Sequence, residues 1–448
     1  MPGGHRPRTL QGVEILVHKY GGTSLATMDQ IQQVARSTAL TYGRGRSLVV
    51  VVSARGAETD RLLALAAQVG DAGSGREIDQ LLATGECASA ALLALALRRL
   101  GVDAVSLTGA QAGIRVTGRH GAGMITSIEP DPVRRRLDEG KVVVVAGFQG
   151  SNVRGDTVTL GRGGSDTTAV AVSAALRAAS CEIYTDVRGV CTADPRLVET
   201  ARILPVVDVA VMAEMAFAGA KVVHSRAVEL AALRRIQLRV SGSLTCGPGT
   251  VIVERSDAPV LESVGAVVAV AHDPDVAWLQ ASCGAGAAGR DGSDLAAEIF
   301  AALAGCSVPV DQVARSADDR DGCRVGLTVS RSDLAEVRAA LDALVATHDG
   351  ELRVRDDVAK VSLIGMGLLN RPEYAALLTA ALAGAGITVG WMSTSQTRMS
   401  VLVPRHQQGR AVRVLHRAFA LESLHGAHAY HGQEGETDDG PSLRSALR

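Results

Sequence analysis

Two apolar runs set the limits on what this 448-residue chain can become. Leu48 to Ala54 reads LVVVVSA, and Val142 to Phe148 reads VVVVAGF. Neither alternates polar with apolar, so each calls for cover on both faces, as in a parallel sheet buried between helices. Glu14 to His18 is a shorter run that ends at Lys19-Tyr20-Gly21-Gly22, and Cys181 to Val187 is a weaker one. Ala- and Leu-rich stretches between them predict helices over Met28 to Thr41, Arg61 to Val69, Asp79 to Leu100 and Thr167 to Ala179. Buried strands alternating with helices predict an α/β fold, a three-layer αβα sandwich around a mostly parallel sheet. Ligands of such sheets bind at the carboxyl ends of the strands, where the glycine turns of this chain fall.

After about residue 246 the pattern changes. Strand candidates at Val264 to Val270 and Arg324 to Val329 alternate with helices at Asp294 to Ala304 and Leu334 to Ala346. The alternation recurs from Ala359 to Phe419, predicting a tandem pair of small α+β modules. From His425 onward the chain is polar.

Composition narrows the function. Lys plus Arg number 46 against 47 Asp plus Glu, a net charge of −1, and aromatic residues make up 2%. A general nucleic-acid binder needs surplus cations and stacking rings, so that class is set aside. Seven cysteines form no CxxC, which suits a reducing, cytoplasmic setting. No apolar run approaches the roughly 18 residues of a membrane helix, so no membrane partner is expected.

The chemistry-bearing motifs cluster at strand ends. Gly161 to Thr168 (GRGGSDTT) lies between an extended stretch and a helix. Its glycines let backbone N–H groups approach an anion, and the helix N-terminus adds positive potential. It matches neither a Walker A loop nor GxGxxG. Lys19 ends a strand before Gly21 and Gly22, where a lysine can reach a transferring phosphate. Ser53-Ala54-Arg55-Gly56 ends the next strand and precedes Thr59. Glu86 sits in an otherwise apolar helix and needs a partner or a task. Arg162, inside the glycine loop, suits a bidentate grip on a carboxylate. Thr185, Asp186, Asp194 and Arg196 follow a strand, and Lys221 supplies a further cation.

Read in order, KYGGTS, SARG, LLATGE, VAGFQG, TLGRGGSDTTAVAVSAAL, YTDVRGV with TADPR, and GAKVVH closely resemble aspartate kinase of the amino-acid-kinase superfamily. The resemblance runs from about residue 14 to 254. It continues more weakly into a pair similar to ACT domains, where KVSLIGMG (Lys360 to Gly367) and Ser393 to Ser395 resemble the second module. It implies an amino-acid-kinase fold over 13–246, a linker over 247–262, ferredoxin-like ACT domains over 263–346 and 359–424, and a loose tail over 425–448.

The implied activity is phosphorylation of the L-aspartate β-carboxylate by MgATP, the first step of the aspartate-family amino-acid pathway. The resemblance gives Lys19 the transferring phosphoryl group and Asp166 the orientation of that lysine. Ser53 and Thr59 would line the aspartate site, Glu86 would take its ammonium and Arg162 its α-carboxylate. Gly21, Gly22, Gly163 and Gly164 would give backbone donors, and Thr185, Asp186, Asp194, Arg196 and Lys221 would border ATP. Mg2+ would be held mainly by phosphates and water, with no protein metal site. The ACT pair would build a homodimer or higher oligomer.

Departures from the family pattern concern regulation more than chemistry. Cys191 replaces the usual aromatic residue, and Arg55 and Glu58 alter the charge of the SARGAET turn. Gly284 to Gly292 and Asn370 to Glu373 depart from the usual effector-binding turns, which predicts weak or absent feedback inhibition. Two other readings are a paralogue acting on another acidic amino acid, or serving a dedicated pathway, and an inactive ACT-based sensor. His425, His428 and His431 are read as an incidental tail feature, Cys87 as a small buried residue, and Trp278 and Trp391 as core or interface.

Overall fold

Val49, Val50, Val51, Val52, Val142, Val143, Val144 and Val145 are fully buried, as unbroken β-branched runs demand. The computed structural model describes residues 14–70, 75–243, 247–254, 266–282, 293–306, 308–318, 322–348 and 350–423. Cys246, Cys283, the Gly284 to Gly292 turn and the His425, His428, His431 tail lie outside them.

The chain divides into two compact units. One comprises Met1–Cys191, Ile203–Phe217 and Lys221–Leu261; the other comprises Thr192–Arg202, Ala218–Ala220 and Glu262–Arg448.

In the first unit the strands are β1 (Ile15–Tyr20), β2 (Ser47–Val52), β3 (Ala104–Leu107), β4 (Ile114–Thr117), β5 (Met124–Ile128), β6 (Val142–Ala146), β7 (Gln149–Ser151), β8 (Thr157–Thr159), β9 (Ser180–Thr185), β10 (Val206–Asp208), β11 (Leu238–Gly242) and β12 (Thr250–Val253). Eight of them form one sheet, in the order β10-β12-β11-β9-β1-β2-β6-β3. Every pairing in it is parallel except β11 with β12. A second, four-stranded sheet of order β5-β4-β7-β8 was not foreseen from the sequence, because its strands are only three to five residues long.

The helices are α1 (Met28–Gly43), α2 (Glu58–Val69), α3 (Gly75–Arg99), α4 (Asp131–Asp138), α5 (Gly164–Leu176), α6 (Val209–Phe217) and α7 (Ser225–Arg234). A capping box between Thr27 and Gln30 starts α1. Residues of α1 and α3 share one core with Tyr20, Leu48, Val50, Val52, Val142 and Val144. Because strand side chains alternate, Val17, Lys19, Val49 and Val51 point to the opposite face, which α5 covers. The result is the expected three-layer sandwich.

Two sequence expectations need correction here. α3 begins at Gly75, one turn before the expected Asp79, so Asp79 lies inside the helix and is buried. This helix is also, by length and composition, apolar enough to cross a membrane, contrary to the expectation that no apolar run approaches that length. Its Leu82, Ala90, Leu93, Ala94 and Leu97 are buried, and the same stripe carries Asp79 and Glu86.

The second unit holds β13 (Ala266–Asp273), β14 (Val276–Ser282), β15 (Val313–Asp318), β16 (Gly322–Ser330), β17 (Glu351–Arg355), β18 (Val358–Met366), β19 (Trp391–Thr394) and β20 (Arg398–Pro404). Its helices are α8 (Ser293–Cys306), α9 (Leu334–Ala346), α10 (Pro372–Gly384) and α11 (Gln408–Ala418). Two antiparallel sheets result, β15-β16-β14-β17 and β13-β18-β20-β19. Each has the ferredoxin-like strand order, with α8 and α9 on the first and α10 and α11 on the second. The sequence reading began the first module with the strand near Val264. That strand, β13, instead pairs with β18 and completes the second sheet, so the first module is inserted within the second. Trp278 and Trp391 meet edge to face at 6.0 Å beside Val276, Val358 and Leu402, an apolar contact as expected.

Candidate active site

The parallel strands bring their carboxyl ends to one edge, and hydrogen bonds stitch those ends together. Gly21 N donates to Tyr184 O (3.3 Å), Ser53 N to Tyr20 O (3.1 Å), Gly56 N to Gly22 O (2.9 Å) and Gly147 N to Val52 O (3.0 Å). This joins the ends of β9, β1, β2 and β6 into one platform.

Lys19 reaches from β1 to the first turn of α5, where its Nζ lies 2.6 Å from Asp166 Oδ1. Both side chains are 11% exposed. The other oxygen, Asp166 Oδ2, accepts from His224 N at 3.2 Å. A Cβ on Gly21 would stand 3.5 Å from Lys19 Nζ, and one on Gly22 only 2.5 Å from Ala54 O. Glycine at these two positions keeps a backbone-lined cradle open beside the lysine.

α5 starts three residues earlier than expected, at Gly164, so Ser165, Asp166 and Thr167 form its first turn. Gly163 enters it with φ of +68°, and a Cβ there would lie 2.0 Å from the His224 ring. Phe148 also holds a left-handed φ of +68°, which costs a non-glycine residue roughly 1–2 kcal/mol. Its N–H donates to Thr168 Oγ1 (3.2 Å), and its carbonyl accepts from Leu160 N (2.9 Å). Those bonds fix the chain on both sides of the glycine loop.

Glu86 is 3% exposed. Its Oε1 accepts from Ala54 N at 2.9 Å, while Oε2 has no hydrogen-bond partner. Burial raises its carboxyl to about 7, opposed by the bond from Ala54. A buried carboxylate with one free oxygen is poised for a cation.

The structure thus brings together Lys19, Gly21, Gly22, Ser53, Glu86, Gly163, Gly164 and Asp166. Arg162 is exposed on the loop, and its charge helps to lower His224, after the larger effect of burial. Thr59 is half-buried in the first turn of α2, which starts at Glu58 rather than Arg61. Thr185 Oγ1 donates to Asp186 Oδ1 (2.9 Å) at the end of β9, and Lys221 is exposed. Asp194 and Arg196 belong to the second unit, where the Arg196 guanidinium forks onto the Asp194 carboxylate and holds it below the usual range. Nearby, Thr192 Oγ1 meets His416 Nε2 at 2.9 Å, and Ala193 and Val198 join the core of the second module.

His224 was missed at the sequence level. The only signal was its place in GAKVVHS just before a helix. Cys87 is half-buried, with its thiol raised by burial, and Cys191 Sγ faces Gly189 O at 3.8 Å. Among the described residues, no group of three His, Cys, Asp or Glu side chains is placed to hold a metal.

Comparison with known proteins agrees with this geometry. Residues 14–241 match the amino acid kinase family and residues 361–419 an ACT domain. The aspartokinase of Thermus thermophilus is 41% identical, covering 91% of this chain and 99% of its own. That of Mycolicibacterium smegmatis is 43% identical, covering 91% and 96%. Among solved structures, E. coli aspartokinase III in complex with aspartate and ADP matches with a TM-score of 0.78 and 25% identity, covering 90% of this chain and 99% of its own. With its glycine-cradled lysine, its buried glutamate and its C-terminal ACT pair, the chain belongs to the aspartokinase family.

Proposed function

We propose that this chain transfers the γ-phosphoryl group of MgATP to the β-carboxylate of L-aspartate, giving 4-phospho-L-aspartate and ADP. The observation that carries the reading is the Lys19–Asp166 pair on the strand-end platform that also holds Glu86. A carboxylate is already nucleophilic at neutral pH, so no strong general base is needed. Phosphoryl transfer then rests on alignment and on neutralising charge at the phosphate oxygens.

In this reading Lys19 Nζ neutralises the moving phosphoryl group, and Asp166 holds the lysine in place. Glu86 Oε2 takes the substrate ammonium, Arg162 its α-carboxylate, and Ser53 and Thr59 its side chain. Backbone N–H groups of Gly22 and Gly163 face the phosphates; those of Gly21 and Gly164, expected as donors, instead bond the carbonyls of Tyr184 (3.3 Å) and Gly161 (3.1 Å), so these two glycines serve the cradle by their lack of a side chain. Thr185, Asp186 and Lys221 border the nucleotide. Mg2+, held mainly by phosphates and water, supplies further charge neutralisation.

The reading extends to cytoplasmic localisation, assembly through the ACT modules and weak or absent feedback by lysine and threonine. Support for the last is the Asn370-Arg371-Pro372-Glu373 turn, where Pro372 opens α10 directly. The test is ADP release with MgATP and L-aspartate, beside glutamate and with Lys19→Ala as control. Turnover with aspartate that Lys19→Ala abolishes supports the reading, and none with aspartate overturns it.

A further inference from the structure

α3 carries two buried carboxylates, and only Glu86 has a place in the reading above. Asp79 is 1% exposed and lies seven residues earlier, two helical turns down the same stripe. Four donors converge on it. Gly121 N reaches Oδ1 at 3.0 Å, Thr159 N reaches Oδ2 at 3.0 Å, Thr159 Oγ1 donates to Oδ1, and His120 Nδ1 lies 2.8 Å from Oδ2. A buried carboxylate is costly to desolvate and is retained where its bonds fix something.

What Asp79 fixes is the root of the glycine loop. Thr159 ends β8, two residues before Gly161. Gly123 N donates to Thr159 O at 2.8 Å, and a Cβ on Gly161 would lie 2.9 Å from Gly121 O. Arg226 bonds the carbonyls of Leu160 (2.7 Å) and Gly123 (3.0 Å). Both segments that support Gly161 therefore donate to one carboxylate on α3.

We propose that Asp79 is a positioning residue for the amino-acid substrate, tying the helix that carries Glu86 to the loop that carries Arg162. The inference rests on the assignment of those two residues to the substrate ammonium and α-carboxylate. An α-amino acid presents both charges on one carbon, so its two clamps must keep a fixed separation. Asp79 sets it through α3 on one side and Thr159-Leu160-Gly161 on the other. The phosphate-facing groups have other supports: Gly21 and Gly22 follow β1, and Gly163 leads into α5, whose first turn is tied to Phe148 N through Thr168 Oγ1.

The test is steady-state kinetics on the full-length chain with Asp79→Asn, Thr159→Val and Thr159→Ser, with thermal unfolding as a fold check. In Asp79→Asn an NH2 group faces N–H donors that the carboxylate accepted. The expected result is a KM for aspartate at least tenfold higher, with the KM for ATP within twofold of the parent. Thr159→Val raises the aspartate KM severalfold, and Thr159→Ser, which keeps the hydroxyl, restores it to within twofold. An unchanged aspartate KM in folded Asp79→Asn, or equal rises in both KM values, overturns the proposal. If Asp79→Asn does not fold, the Thr159 pair decides: Val and Ser behaving alike overturns it. Failure of the underlying reading is seen separately, as absence of aspartate turnover in the unaltered chain.

Discussion

Lys19 and Asp166 form an ion pair at 2.6 Å across the boundary between the central strand and the first turn of α5. Lys19→Ala removes the cation from the cradle. Asp166→Asn leaves the lysine without its anchor. Transition-state electrostatics of this kind is worth about 10²–10³ in turnover per group. We expect a kcat loss of at least that order in Lys19→Ala and a smaller loss in Asp166→Asn, each with a lowered thermal stability because a buried charge loses its counter-ion. Retention of full turnover by Lys19→Ala would remove the lysine from the mechanism.

Glu86 gives the reaction a pH signature. Burial raises its carboxyl to about 7, so below that pH it is increasingly neutral and loses its pull on an ammonium group. The kcat/KM for aspartate, which reports the free enzyme, should fall about tenfold per unit below pH 7 and level off above it. Glu86→Gln should remove that step and lower the plateau. A profile with the step intact in the glutamine variant would assign it to another group.

Gly163 combines positive φ with a ring in the space of its missing Cβ. Gly155 has φ of +84° and open space around it, so it separates the two effects. Gly155→Ala should cost roughly 1–2 kcal/mol of stability and leave activity intact. Gly163→Ala should cost more and cut activity strongly. Adding His224→Gly should recover part of the loss, because the collision goes while the backbone strain stays. No recovery in the double variant would show that the ring is not the obstacle.

His18 is buried on β1 and pushed down to about 4 by desolvation, partly opposed by Glu182. Its unfolded value is near 6.5, so the unfolded chain takes up a proton first as pH falls. Stability from this group is complete above pH 6.5 and is lost towards pH 4, about 3 kcal/mol over the interval. Denaturant melts at pH 7, 6 and 5 should show the decline, and His18→Leu should flatten it. An equal slope in the two proteins would place the acid sensitivity elsewhere.

Both tryptophans of the chain lie at the contact between the two ACT sheets, so emission excited selectively from tryptophan reports on that contact. Strong coupling between an effector and an active site is about 1–3 kcal/mol, or 5- to 150-fold. With millimolar lysine or threonine we expect less than about a fivefold change in kcat/KM and a flat emission spectrum. Marked inhibition accompanied by a spectral shift would restore conventional feedback to this chain.

The sequence carried the sheet and its motifs further than the contacts between them. The unbroken runs at Leu48 and Val142 were legible because burial on both faces leaves no room for polar residues. The α5 boundary lies before Thr167 because Gly164 and Ser165, which read as loop, follow the αL turn at Gly163 that starts the helix. Asp79 reads from the sequence as the start of a helix, since no local pattern reveals donors 42 and 80 residues away. The role of β13 is hidden from the sequence for a related reason. Chain order places it beside β14, and only strand pairing shows that it closes the sheet of β18.

That pairing makes the two ACT modules topologically inseparable. The first is a loop closed between Asp273 and Val358 of the second, so a single scission after Arg355 yields a C-terminal fragment lacking its edge strand. Such a fragment would present the unpaired flank of β18 to other chains and should self-associate. A soluble version of the second module alone calls for circular permutation, with Ala266–Asp273 grafted behind α11 so that the strand returns to β18 from the other end of the chain.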